Sequence, residues 1–327
     1  MPLDPRARRF LDTLAAMNPP SALSLSVAQR RSALEHLLSF SGQAEPVAAV
    51  EHRTVPGPDG PLAVRLYTPA GAQSGPGLPG LVYFHGGGLV AGSLDTHDPI
   101  CRSLANAGDC RVCSVEYRLG PEHPFPAAVE DACGATAWIA GHAEEWGIDP
   151  QRLGVSGDSA GATLAAVVCQ MSAGSRLSLA CQFLLCPIMD FTAESDSRRS
   201  FAEGYLVDRA TLEHDLKHYL GANADPADPR ISPLRAPQLR NLPPTAIHTA
   251  EFDPLRDEGR AYAMRLETAG VRTIYRCHPG MIHLFYGMRG LIPYAGTAFA
   301  LIGADIRDLL RASRATKGAP NDGSPAG

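Results

Sequence analysis

The sequence has no long apolar run, no block of charges of one sign and very little lysine. Of its 327 residues, 29 are basic and 34 are acidic, and the only lysines are Lys217 and Lys317. No window of about 18 uncharged apolar residues occurs, which argues against a membrane-spanning helix. The net charge of -5 is spread along the chain, so nucleic acid is not expected as a partner. We therefore expect a soluble, cytoplasmic protein without stable membrane association.

Cysteine is present, but not in the pattern of a disulfide framework or a redox site. The eight Cys residues are scattered through predicted strands and helices, which suits buried thiols in a reducing compartment. Cys110 and Cys113 have the spacing of a C-x-x-C pair, but they run directly into the strand-like segment Ser114–Tyr117. In a strand these two thiols point to opposite faces, so neither a metal nor a redox function is expected there. No cofactor is expected for the chain.

The chain does contain the alternation of strands and helices that is typical of an α/β domain. Its length and its 45% hydrophobic content suffice for one large core. Strands are predicted near residues 48–55, 63–68, 81–85, 111–117, 152–156, 181–186, 245–249 and 271–277. Helices are predicted near residues 96–107, 127–141, 160–173, 256–269 and 294–312. This order predicts a mostly parallel eight-stranded sheet flanked by helices, with an antiparallel start at the turn of residues 58–60.

Two segments lie outside this alternation. Residues 1–45 have the pattern of two helices with a break at Asn18–Pro20, and residues 191–239 form an insertion with a helix predicted over Asp208–Leu220. Together they are predicted to form a small helical cap over the carboxyl edge of the sheet, where open α/β folds bind ligands. The catalytic domain then consists of residues 46–190 and 240–313. Residues 314–327 lack periodicity and are predicted to be disordered.

The segment Gly157–Gly161 reads Gly-Asp-Ser-Ala-Gly and matches the Gly-x-Ser-x-Gly turn that exposes a nucleophilic serine between a strand and a helix. Glycines are needed on both sides of Ser159, because the nucleophile has a strained backbone and the strand and helix approach closely. The same pattern occurs in glycine-rich loops, so its interpretation depends on partners for the serine. Asp158 is expected to support the turn by hydrogen bonds rather than to react.

A serine hydroxyl needs a base and an acidic group that orients the base. In α/β-hydrolase chains the order is serine, acid, histidine. Asp253 is the predicted acid, since Pro254 behind it favours an extended backbone at the end of the seventh strand. His283 is the predicted base, delivered by the turn at residues 279–280 after the eighth strand. Three neighbours fit these roles less well, namely Glu251, Asp257 and His278.

Backbone N–H groups are also needed to stabilise the negative charge that develops on a carbonyl oxygen. The segment His85–Gly88 follows an apolar strand, and we assign this role to the N–H groups of Gly87, Gly88 and Ala160. A competing interpretation is a dinucleotide-binding Gly-x-Gly-x-x-Ala pattern over residues 86–91 with Glu116 as the ribose acid. It would make the protein an oxidoreductase, but Glu116 lies too far along the chain and the serine turn would stay unexplained.

Five blocks occur in a specific order, namely His85–Gly88, Tyr117–Ala127, Gly157–Gly161, Asp253–Asp257 and Gly280–His283. Together they resemble the hormone-sensitive-lipase-like carboxylesterases of bacterial family IV, over about residues 45–312. The resemblance implies an α/β-hydrolase fold with a cap, and hydrolysis of short- to medium-chain acyl esters without a cofactor. The chain departs from the family at Leu89, Ala162 and Leu284, and Leu89 and Leu284 are expected to shape the substrate pocket.

The predicted partner is a small-molecule ester, and a homodimer is left open. The same triad could serve an amidase, a carbamate hydrolase or a lactone hydrolase. A ligand-binding receptor on the same fold is the rival from another class, because fold does not dictate function. His283 argues against the receptor, since some relatives of this family have lost the catalytic histidine.

Overall fold

One eight-stranded sheet organises the protein in a computed structural model that describes residues 1–72, 77–221 and 224–316. The strands are β1 (Ala49–Gly57), β2 (Gly60–Thr68), β3 (Leu78–Phe84), β4 (Arg111–Val115), β5 (Ile148–Asp158), β6 (Gln182–Leu185), β7 (Thr245–Phe252) and β8 (Thr273–Ile282). Their order in the sheet is β1-β2-β4-β3-β5-β6-β7-β8. β2 is antiparallel to both β1 and β4, and the other neighbours are parallel. The predicted fold class is confirmed.

The helices of the described chain pack on both faces of this sheet. They are α1 (Pro5–Ala16), α2 (Val27–Leu38), α3 (Asp98–Gly108), α4 (Ala127–Gly141), α5 (Ala160–Ser172), α6 (Asp196–Ser200), α7 (Arg209–Leu220), α8 (Arg256–Thr268) and α9 (Tyr294–Thr316). Buried residues of α4, α5 and α8 share one core cluster, and those of α3 and α9 share the other. Alternate residues of β3 separate in the same way, with Val82 in the first cluster and Leu81 in the second.

This alternation also places the C-x-x-C pair as predicted. Cys113 belongs to the first core cluster and Cys110 to the second, so the two thiols lie on opposite faces of the sheet. Both are free and fully buried. Burial raises the pKa of Cys113 to about 12, which keeps this thiol protonated and unreactive at neutral pH.

Three details of the fold differ from the prediction. β8 continues to Ile282 instead of turning away at Pro279 and Gly280. Gly280 has a φ of +73°, which its lack of a side chain permits. Its N–H donates to the carboxylate of Glu251, and its carbonyl oxygen accepts the N–H of Asp4. The short helix α6 in the insertion was not predicted, since its five residues carry no periodic pattern. α9 continues to Thr316, whereas the tail was predicted to begin at residue 314, because Ala312–Ala315 contains no helix breaker. The rest of that tail, residues 317–327, lies outside the described residues.

The N-terminal helices and the insertion meet on the side of the sheet where the strands end. α2 begins with a capping box between Ser26 and Gln29, and α7 is capped by Asp208. His214 of α7 is 3.2 Å from the carbonyl oxygen of Leu25, just before α2. None of the helices in the described chain is long and apolar enough to cross a membrane.

Candidate active site

Ser159 lies at the junction of β5 and α5, in the sharp turn that its flanking glycines allow. Its φ of +53° and ψ of -120° are strained for a residue with a side chain. A Cβ on Gly161 would collide with the carbonyl oxygen of Phe84, and a Cβ on Gly157 would collide with the backbone of Gly161. The strand and helix are therefore too close for any other residue at these two positions. The steric reason predicted for the two glycines is confirmed.

His283 and Asp253 form a buried hydrogen-bonded pair at the ends of β8 and β7. Nδ1 of His283 is 2.8 Å from Oδ2 of Asp253, whose Oδ1 accepts the backbone N–H of Leu255 at 2.9 Å. A carboxylate can only accept, so Nδ1 carries the proton and Nε2 carries the lone pair. Burial by itself lowers the pKa of His283, but the charge and hydrogen bond of Asp253 outweigh it, so the net pKa is raised.

The other acids and the other histidine that the sequence offered have different partners. Glu251 binds the N-terminal amino group and the N–H of Gly280. Asp257 lies in the first turn of α8 and accepts the N–H of Ser197 at 2.8 Å. His278 is 2.9 Å from His248 on β7, and burial together with that neighbour lowers its pKa to about 3. These contacts agree with the prediction that Glu251, Asp257 and His278 fit the two roles less well than Asp253 and His283.

The glycine loop after β3 lines the same cavity as the serine. Gly87 and Gly88 have φ values of +121° and +67°. Within the described part of the chain, the N–H groups of these two residues have no hydrogen-bond acceptor. The N–H of Ala160 is the first of α5, where no acceptor exists within a helix. Since Gly87, Gly88 and Ser159 line one cavity, these donors are available to an oxygen that binds next to Ser159.

Asp158 connects the serine turn to this glycine loop. Its fully buried carboxylate accepts the N–H of Gly86 at 2.8 Å and the hydroxyl groups of Tyr83 and Tyr286, and His97 lies 3.5 Å away. Burial alone raises the pKa of this carboxyl, but His97 and the hydrogen bond from Tyr83 outweigh it and hold the pKa below its usual range. Asp158 therefore supports the serine turn and the glycine loop through hydrogen bonds, as expected from the sequence.

The cavity above Ser159 has a volume of about 290 Å³ and is walled by the N-terminal helices, the insertion and the sheet edge. Its walls are mostly aliphatic, and they include the predicted pocket residue Leu284. Leu89 was also predicted to line the pocket, but it is buried in the first core cluster. With a φ of +63°, the backbone of Leu89 has already turned away from the loop of glycines. Sequence reasoning missed several acidic and basic wall residues, among them Arg30 and Asp215.

The dinucleotide interpretation does not fit the structure. No helix begins directly after the glycines of residues 86–88, since α3 starts only at Asp98, so a pyrophosphate would have no helix N-terminus to bind. Glu116 accepts the N–H of Leu94 at 2.7 Å and is thereby occupied in holding the same loop.

One group of ligand-type side chains in the described residues is close enough to hold a metal ion. It consists of Cys186, Asp253 and His283, whose ligand atoms all lie within 4.8 Å of one another. A metal bound there would take the atoms through which Asp253 and His283 contact each other, so it would compete with that hydrogen bond.

Comparison with known proteins gives a consistent result. A family model described as alpha/beta hydrolase fold matches residues 81–287. Carboxylic ester hydrolase LipN of Mycobacterium tuberculosis is 44% identical over 242 residues, which are 72% of this chain and 64% of that protein. The chain therefore spans less than two thirds of the length of this relative. Ethyl acetate hydrolase of Pseudomonas putida is 37% identical over 92% of this chain and 98% of its own length. The solved ester-hydrolase EH1AB1 from the metagenome of Lake Arreo has a TM-score of 0.90 at 40% identity, covering 94% of this chain and 98% of that one.

Proposed function

The chain belongs to the α/β-hydrolase superfamily, within the hormone-sensitive-lipase-like family of carboxylesterases, and we propose that it cleaves short- to medium-chain acyl esters through Ser159, His283 and Asp253. The observation that carries the proposal is the convergence on one cavity. This site contains a serine in a strained turn and a histidine oriented by a buried carboxylate. It also contains two N–H groups that have no acceptor among the residues that the structure describes.

In the first step, Oγ of Ser159 attacks the ester carbonyl carbon while Nε2 of His283 takes the hydroxyl proton. Asp253 keeps the proton of the imidazole on Nδ1 and stabilises the imidazolium that forms. The carbonyl oxygen becomes negative and accepts hydrogen bonds from the N–H groups of Gly87, Gly88 and Ala160. Removing one such donor typically costs about 100- to 1,000-fold in rate.

The tetrahedral intermediate then collapses. His283 returns its proton to the leaving alcohol oxygen, the C–O bond of the ester breaks, and the acyl group stays on Ser159. Water, deprotonated by His283, attacks the acyl-enzyme in the same geometry and releases the carboxylic acid. The serine regains its proton from His283, so the enzyme is unchanged at the end of the cycle.

The size of the cavity supports the preference for small acyl groups. Ligand pockets commonly span about 300–1,000 Å³, and this cavity of about 290 Å³ lies at the lower end. The similarity to an ethyl acetate hydrolase points the same way. Amides, carbamates and lactones remain the second class of substrate, because the same three side chains can attack any of these carbonyl groups.

A rate profile tests this function. We expect kcat/KM for p-nitrophenyl esters to be highest at short acyl chains and to exceed the rates with matched anilides, carbamates and lactones. Ser159→Ala should reduce every ester rate to background, a loss of roughly 10⁶-fold. A maximum at acyl chains longer than about ten carbons would contradict the short-chain proposal, since such substrates usually call for an exposed lipid-facing patch.

A further inference from the structure

A buried charged pair spans the cavity wall and joins the two segments that lie outside the sheet. Arg30 of α2 binds Asp215 of α7 through two hydrogen bonds, from Nε to Oδ1 at 3.1 Å and from Nη2 to Oδ2 at 2.7 Å. Only 13% of the Arg30 side chain and 5% of the Asp215 side chain are exposed. Both residues line the cavity that contains Ser159. The ester chemistry described above assigns them no role.

The carboxylate of Asp215 lies against the glycine loop that supplies the N–H groups. A side chain at residue 88 would place its Cβ 2.5 Å from Cγ of Asp215, so the carboxylate occupies the space beside Gly88 that a side chain would fill. A negative charge is thus held next to a proposed donor to the developing oxyanion. Unless it is neutralised, such a charge opposes the charge that forms on the substrate oxygen.

We propose that Arg30 is a positioning residue for ester hydrolysis, because it neutralises the carboxylate that Asp215 places against Gly88. Arg30 acts through Asp215 rather than on the substrate, and the proposal rests on the function proposed above. Its effect falls on the tetrahedral transition state, where the oxygen is negative, and only weakly on substrate binding, where the carbonyl is neutral. The role is therefore one of rate and not of affinity.

The surroundings of Asp215 leave Arg30 as its permanent cation. His214 of α7 places Nδ1 3.0 Å from Oδ1 of Asp215, but it is buried with its ring 4.2 Å from that of His218, and it is charged only when protonated. The glycine loop contributes Gly88 and no ionisable group at this contact. In the described part of the chain, the cavity is also lined by four other side chains that can ionise, namely His283, His97, Asp158 and Asp208.

Three variants separate neutralisation from simple tethering. Arg30→Gln leaves Asp215 buried and unpaired, and we expect kcat for a short acyl ester to fall by about 10- to 100-fold while KM changes little. The double variant Arg30→Gln/Asp215→Asn removes both charges and should recover kcat to within about fivefold of the wild type, as should Asp215→Asn alone. A pair that acted only as a tether would make all three variants slow, because each of them disrupts the two-bond ion pair that joins α2 to α7. That result would overturn the proposal, and so would a wild-type kcat in Arg30→Gln.

Arg31→Gln is the matched control, since Arg31 also lies on α2 but pairs with Glu122, which is 53% exposed. It should keep a kcat close to that of the wild type, because it leaves the charge of Asp215 paired with Arg30.

Should Arg30→Gln fail to fold, Asp215→Asn alone still decides between the two accounts, because only tethering predicts a large loss of kcat for it. Wild-type enzyme without ester turnover would count against the proposed function, whereas these variants test only the role of Arg30.

Discussion

Replacing Asp253 with asparagine should remove most of the rate while leaving the fold in place. The two oxygens of this carboxylate have different partners, since Oδ1 accepts the N–H of Leu255 at 2.9 Å and Oδ2 contacts Nδ1 of His283 at 2.8 Å. Only the oxygen of an asparagine amide can accept from Leu255, so that oxygen takes the Oδ1 position. The amide NH₂ group of residue 253 then faces Nδ1 of His283.

A donor at this position reverses the tautomer of the histidine. Nδ1 must accept the hydrogen bond, so the ring proton moves to Nε2, where the lone pair is needed to deprotonate Ser159. Loss of the correct tautomer lowers kcat by about 10⁴-fold in serine hydrolases, which is roughly 5.4 kcal/mol at 1.36 kcal/mol for each tenfold. KM should change little, because Asp253 is fully buried behind His283 and is not part of the cavity wall.

The assay is steady-state hydrolysis of a short p-nitrophenyl ester, with thermal melting to confirm that the variant is folded. Asp257→Asn is the matched control, because it removes a carboxylate four residues away that binds Ser197 and Arg256 instead of the histidine. It should keep a rate close to that of the wild type. If folded Asp253→Asn kept more than about a tenth of kcat, the assignment of Asp253 as the orienting acid would be refuted.

Three further predictions concern the same site. First, kcat/KM should fall on acidification with an apparent pKa above the usual histidine value of about 6.5, because Asp253 raises the pKa of His283 and only the neutral ring can act as base. A pH profile between about 5 and 9 measures this pKa. A midpoint below the usual value would contradict the prediction. Second, Asp158→Asn should destabilise the fold by about 2–4 kcal/mol and lower kcat by only about tenfold, because the charged hydrogen bond to the glycine loop weakens but no reacting group is lost. Denaturant unfolding measures the stability and steady-state kinetics measure kcat. A complete loss of activity in stable protein would show that Asp158 has a direct role. Third, Gly161→Ala should lower the free energy of unfolding by about 3 kcal/mol or more, because the new Cβ meets the carbonyl oxygen of Phe84. Gly134→Ala in the middle of α4 is the control, and it should raise the free energy of unfolding by up to about 1 kcal/mol. Equal melting temperatures for the two variants would contradict the steric account.

The placement of the proposed reacting groups was predictable from the sequence because each follows a strand with a recognisable apolar pattern. Ser159, Asp253 and His283 stand in the required order, and the parallel sheet brings the ends of β5, β7 and β8 to one edge. The course of the backbone near His283 was predicted less well. Pro279 and Gly280 normally indicate a turn, yet β8 continues in the sheet to Ile282, and Gly280 is bonded to Glu251 and Asp4.

The charged residues of the cavity wall could not be predicted from local sequence. Arg30 and Asp215 lie 185 residues apart on helices whose charged positions look like ordinary solvent-facing ones. Only the packing of α2 against α7 buries them together. Leu89 illustrates the opposite case, since its place next to the glycines suggested a pocket residue, but the left-handed backbone turns it into the core.

Covalent labelling with an organophosphonate is the most direct test of whether Ser159 is the nucleophile. We expect the intact mass to rise by one phosphonyl group per chain, with the label on the peptide that contains Ser159 and no labelling of Ser159→Ala. His283→Ala should be labelled far more slowly, because the base that activates the serine is gone. An unchanged mass of the folded wild-type protein, or a label on another residue, would contradict the account.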